Sequence, residues 1–147
     1  MAKEPENLSI LLVEDNEDDV LVASRAFREF KVITEVQVAR DGQEALDMLG
    51  AAGRHAGKKP FRPALILLDI TLPLMDGITL LKRLKGDQAL RGIPVLMLTT
   101  SSRHEDIVRS YENGAASYIT KPASLEEFLE LARRLEMYWT TVSKLPV

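Results

Sequence analysis

Apolar positions fall along the chain in two alternating rhythms. Residues 9–13 (SILLV), Leu65–Leu68 (LILL) and residues 93–98 (IPVLML) are short apolar runs, residues 34–39 (TEVQVA) alternate, and Ser117–Thr120 reads SYIT. Runs of this length, rich in branched residues, predict strands, and those apolar on both faces predict strands covered by helices on each side. Between them the spacing changes to that of amphipathic helices. Val20, Ala23, Phe27 and Phe30 form the first such set, Ala45, Leu46 and Leu49 the second, and Ile78, Leu81 and Leu84 the third. Ile107, Val108 and Tyr111 mark a fourth helix, and Leu125, Phe128, Leu129, Ala132 and Leu135 open a long fifth. Strict βα alternation, repeated five times, predicts an α/β fold: a doubly wound five-stranded parallel sheet.

The connections carry matching signals. Asn16 is a good N-cap before Glu17, Asp18 and Asp19, whose charges suit the positive end of a helix dipole and read as a solvated helix start. Asn113-Gly114 stops the fourth helix in the manner of a glycine cap. Residues 50–64 hold three glycines, two prolines and five basic residues, and read as a long solvated loop. The 147 residues suffice for a single domain over 1–147, with a loose stretch at 1–8 and a C-terminal extension at 138–147. A net charge of −3 argues against broad nucleic-acid binding. No apolar run approaches the roughly 20 residues of a membrane span, and no signal-peptide pattern opens the chain. The absence of cysteine excludes disulfides and thiolate metal sites and is compatible with a cytoplasmic protein.

Chemistry enters at the strand ends. In a parallel sheet the carboxyl ends all point one way, toward the crevice where open α/β sheets hold their ligands. Glu14 and Asp15 follow the first strand, Asp69 the third, Thr99 the fourth and Lys121 the fifth. Three converging carboxylates need a cation. All-oxygen ligation suits Mg²⁺ or Mn²⁺, since no histidine or cysteine lies at these ends. An ammonium and a hydroxyl beside such an ion suit phosphoryl oxygens, which points to phosphoryl transfer with Asp69 as nucleophile.

The pieces LLVEDN, ARDGQEAL, LILLDITLPLMDG, IPVLMLT and NGAASYITKP, in this order, resemble the receiver domain of two-component response regulators over about residues 8–137. The resemblance implies a flavodoxin-like (βα)5 fold with strand order 2-1-3-4-5. It implies Asp69 as phosphoacceptor, and Asp15, Glu14 (through water), Asp69 and the Thr71 backbone carbonyl around Mg²⁺ or Mn²⁺. It further implies Thr99 as the switch hydroxyl, Tyr118 as the aromatic that turns inward with it, Lys121 as the phosphate-binding lysine, and a cis Lys121–Pro122 bond. The phosphoryl donor would be a partner sensor histidine kinase. The extended loop after the second helix and the ending EMYWTTVSKLP are similar to the small stand-alone regulators paired with phytochrome kinases, which makes red light the expected input.

Two rivals remain at this point. A phosphatase of the haloacid dehalogenase type needs a second Asp two residues beyond the nucleophile, where this chain has Thr71. A pseudo-receiver, a protein-interaction module without phosphorylation, usually lacks one of the acids or the lysine, and here all are present. The chain is thus expected to be a phosphoacceptor rather than a turnover enzyme. Finally, Phe128, Leu131, Leu135, Tyr138 and Val142 recur at 3-4-3-4 spacing. With Leu131 placed beyond the core-facing stripe, this seam predicts a homodimer through the last helix.

Overall fold

The computed structural model describes residues 7–100 and 103–141. Five strands and five helices alternate: β1 Leu8–Val13, α1 Glu17–Arg28, β2 Ile33–Ala39, α2 Gly42–Gly50, β3 Leu65–Leu68, α3 Gly77–Gly86, β4 Val95–Thr99, α4 His104–Glu112, β5 Ser117–Thr120 and α5 Leu125–Thr141. The strands form one sheet in the order β2-β1-β3-β4-β5, and every pairing is parallel. This is the flavodoxin-like arrangement that the sequence leads one to expect.

The strand pleat builds two cores. Leu11 and Val13 of β1, Ile66 and Leu68 of β3, and Val95 and Met97 of β4 pack with α2 and α3 through Ala45, Leu49, Ile78 and Leu81. The alternate residues Ile10, Leu12, Leu65, Leu67 and Leu98 pack on the other face with α1 and α5 through Phe27, Phe128 and Ala132. The middle strand β3 is therefore apolar at every position, because neither face meets water, and Ser9 and Thr99 are the polar residues of the flanking β1 and β4.

Side chains close the helix starts that aim the chain back across the sheet. Asn16 Oδ1 accepts from Asp19 N at 3.0 Å, Asp41 Oδ1 from Glu44 N at 2.8 Å, and Asp76 Oδ1 from Thr79 N at 2.8 Å. Each satisfies a backbone N–H that has no partner within its own helix. Within the long loop, Gly53–His55 forms a 3-10 turn.

Two elements differ from expectation. On α4 the buried residues are Asp106 and Ser110, whereas Ile107 and Val108 are half-buried and Tyr111 is exposed. Ser110 Oγ donates to the Asp106 carbonyl oxygen at 2.7 Å, and the Asp106 carboxylate pairs with Arg103, the residue before the helix, at 3.4 Å, so both buried polar side chains have partners. On α5 the seam does not stand free. Phe128 and Leu131 are buried in the core shared with α1, and Leu135 packs half-buried against it. The reason is helical geometry: positions 128, 131, 132, 135 and 139 form one i, i+3, i+4, i+7 stripe, and the fold spends that stripe on itself. Tyr138 is exposed, and Val142 lies outside the described residues.

Candidate functional site

The carboxyl edge of the sheet gathers the expected groups. Backbone bonds continue the ladder beyond the strands and fix the position of each: Glu14 N donates to Ala39 O at 2.9 Å, Asp69 N to Val13 O at 3.2 Å, and Lys121 N to Thr99 O at 2.8 Å. Glu14, Asp69 and Thr99 are buried, whereas Asp15 is exposed. Glu14, Asp15 and Asp69 each present a carboxylate oxygen, and the three oxygens lie within 4.8 Å of one another. That donor set, all oxygen and triply anionic, fits a hard divalent cation such as Mg²⁺ or Mn²⁺.

Lys121 lies at the centre of the charge. Its ammonium contacts Glu14 Oε1, Asp19 Oδ2 at 2.8 Å and Asp69 Oδ2 at 3.1 Å, and its side chain is only 7% exposed. Three carboxylates thus engage a group with three N–H donors. Burial alone would lower the Lys121 pKa, but bonding to Asp19 and Glu14 and the charge of Asp69 outweigh it and hold the ammonium above its ordinary value. Glu14 moves up from the usual carboxylate range, chiefly through burial and secondarily through Asp69, despite the opposing bonds from Lys121 and Asn16 N. Asp69 Oδ1 also accepts from Thr71 N at 3.1 Å, so both its oxygens are held in orientation.

The remaining expected residues are nearby in the fold. Thr99 ends β4 with its side chain fully buried. Tyr118 is half-buried on β5 against the core on the α2/α3 face, and its backbone N–H donates to Tyr111 Oη at 3.2 Å. The Lys121–Pro122 bond corrects an expectation: no peptide bond among the described residues is cis. Trans is the lower-energy form of an X-Pro bond by roughly 0.5–1 kcal/mol, and with it Lys121 still reaches all three carboxylates.

Asp19 is the residue that the sequence left among solvated acids. It is the third residue of α1, and of the three acids there it alone turns into the site. Glu17 pairs outward with Arg40 at 2.6 Å, and Asp18 is exposed. The available signal was its place one turn beyond Asn16, on the side of the helix start that faces the strand ends.

The arrangement has known counterparts. The family model for the response regulator receiver domain matches residues 10–133. The chain belongs to the response regulator receiver family. Among its relatives, the probable methanogenesis regulatory protein FilR2 of Methanothrix harundinacea is 37% identical over 137 residues, covering 93% of this chain and 86% of that one. The response regulator Rcp1 of Synechocystis is 34% identical over 137 residues, covering 93% and 92%. The Mn²⁺-bound form of Rcp1 matches the receiver described here with a TM-score of 0.83 over 95% and 99% of the two chains. The phosphorylated cyanobacterial phytochrome response regulator RcpA matches with a TM-score of 0.85 and 38% identity over 96% and 99%. The receiver is therefore similar along nearly its whole length to phytochrome response regulators. Among its described residues no helix is long and apolar enough to cross a membrane.

Proposed function

We propose that this receiver accepts a phosphoryl group on Asp69 from a partner histidine kinase in the cytoplasm, with Mg²⁺ or Mn²⁺ held by Glu14, Asp15, Asp69 and the Thr71 carbonyl. In that step an Asp69 carboxylate oxygen bonds to phosphorus, the bond from phosphorus to the donor breaks, and the donor leaves with its electron pair. The observation that carries the reading is the buried Asp69 carboxylate, held at both oxygens and placed against Glu14 and Asp15 on one side and the Lys121 ammonium on the other. A divalent ion there would supply positive charge to the phosphoryl oxygens, and Lys121 would supply the rest. Thr99 and Tyr118 would report the phosphoryl group to the β4–β5 face. The protein then serves as a phosphoacceptor with self-dephosphorylation rather than as a turnover enzyme.

Similarity to RcpA and Rcp1 supports a phytochrome-type kinase as the donor. Self-association is part of the proposal, through the surface that α5 leaves outside its core stripe, where Met137 and Tyr138 are both more than half exposed. The deciding experiment is acetyl phosphate labelling in Mg²⁺, read by intact mass. The native chain should gain one alkali-labile phosphoryl group and Asp69→Asn none. A fully labelled Asp69→Asn protein would refute the assignment. A panel of kinases including a phytochrome kinase then tests the donor by phosphotransfer.

A further inference from the structure

The expected acids leave Asp19 without a role, yet it makes one of the three contacts that hold Lys121. It differs from the other two partners. Glu14 and Asp69 belong to the trio whose oxygens converge, whereas Asp19 does not. Glu14 and Asp69 are almost fully buried, whereas the Asp19 side chain retains 33% exposure. Lys121 and a divalent cation therefore compete for the same two carboxylates, Glu14 and Asp69, and Asp19 is the partner outside that competition. A buried ammonium released without a partner would bear a desolvation cost that hydration no longer offsets. We propose that Asp19 is a positioning residue: it is the carboxylate onto which Lys121 withdraws when Glu14 and Asp69 turn to a divalent cation. This rests on the metal-site reading above and adds the device by which one site serves two cations in turn.

The local chain is built for this. Asp19 N is fixed to the Asn16 cap, so its side chain leaves the first turn of α1 at a set angle toward the strand ends. Lys121 has two partners besides Asp19, the carboxylates of Glu14 and Asp69. With Glu14 and Asp69 turned to the cation, Asp19 remains. Loss of the Asp19 charge thus raises the energy of the cation-bound state more than that of the cation-free state, and weakens cation binding.

The test is calorimetric titration of the unphosphorylated full chain with Mg²⁺. Asp19→Asn should raise the Mg²⁺ dissociation constant roughly tenfold, whereas Asp19→Glu, which keeps the charge, should recover most of the affinity. Asp18→Asn removes the same charge one residue away, on a side chain that faces solvent, and should change the constant much less. Acetyl phosphate labelling of Asp19→Asn should be slow at low Mg²⁺ and recover at saturation. Equal affinity in Asp19→Asn and native protein overturns the proposal, as does an equal loss in Asp18→Asn, which would reduce Asp19 to bulk charge. A native chain that binds Mg²⁺ and takes the phosphoryl group while Asp19→Asn titrates normally sinks this inference alone. A native chain that does neither sinks the site reading and this inference with it.

Discussion

Gly77 and Asp69 are separated by a space that admits no side chain. A Cβ added to Gly77 would stand 2.7 Å from Ile70 Cα and 2.9 Å from the Asp69 carbonyl carbon, closer than such atoms approach. Gly77 N also donates to Ile70 O at 2.7 Å, which ties the first residue of α3 to the segment just past Asp69. The turn at 70–77 is therefore closed by backbone on backbone. Gly77→Ala should lower stability by about 2 kcal/mol as the overpacked turn shifts, and should slow Asp69 labelling by displacing its backbone. Gly86, at the other end of α3, has no heavy atom within 4 Å of an added Cβ. Gly86→Ala should be neutral or stabilising by up to about 1 kcal/mol. Denaturant midpoints of the two variants, measured together, separate the packing effect from helix propensity.

Lys121 is the charge on which the cation-free site depends. Lys121→Met leaves buried carboxylates facing one another and should cost about 3 kcal/mol without metal. The loss should depend on pH. The Glu14 carboxyl already lies above its ordinary 4.5 in the fold, and Lys121 is one of the groups holding it down. Without Lys121 it rises further. A carboxyl whose folded pKa exceeds its unfolded value contributes stability below the unfolded value and loses it as pH climbs through the folded one. The Lys121→Met deficit relative to native protein should therefore be small near pH 4.5 and grow toward pH 8. Thermal unfolding in chelator across that range checks it, and a deficit that shrinks with rising pH would contradict the argument. Added Mg²⁺ should then stabilise the variant through linkage.

Among the described residues, two other than glycine hold left-handed backbone. Leu74, in the turn after Asp69, has φ +68 with its side chain 94% exposed, and Ala51, just past α2, has φ +53. Neither conformation suits a residue with a Cβ, and the Leu74 side chain gains nothing from burial. Leu74→Gly and Ala51→Gly should each raise stability by on the order of 1 kcal/mol. Chemical denaturation is the measurement, and a fall in both would show that side-chain interactions outweigh the strain. If a kinase docks on the exposed Leu74, Leu74→Gly should slow phosphotransfer while leaving acetyl phosphate labelling unchanged.

The sheet was legible because its physics is local. Leu65–Leu68 could be apolar at every position only if both faces were covered, and parallel strand ends then had to bring Glu14, Asp69 and Lys121 together. Asn16 announced its helix by a side chain that caps within three residues. What stayed illegible depends on direction. Asp19 stands in the sequence as one of three consecutive acids at the start of α1, and the packing of α1 on the sheet turns it, rather than Glu17 or Asp18, inward. Asp106 and Ser110 are buried on α4 with their side chains partnered, Ser110 by the Asp106 carbonyl and Asp106 by Arg103, a satisfaction that hydropathy does not register. Leu131 was assigned to the wrong side because a wide apolar arc on α5 does not say which part faces its own core.

That last distinction gives a test with opposite outcomes at two positions seven residues apart. Leu131 is 8% exposed, within the α1–α5 core, and Tyr138 is 56% exposed. Leu131→Asp buries a carboxylate with no partner and should destabilise the monomer by about 3 kcal/mol or more. Tyr138→Asp removes a side chain from water-facing surface and should change stability by less than about 0.5 kcal/mol. If the receiver self-associates through the outer face of α5, Tyr138→Asp should yield a folded monomer at concentrations where the native chain sediments as a dimer. Sedimentation and thermal unfolding of the two variants, with and without acetyl phosphate, distinguish the cases. A folded monomer from Leu131→Asp would return Leu131 to an interface. A Tyr138→Asp protein that still dimerises would place the contact away from this end of α5.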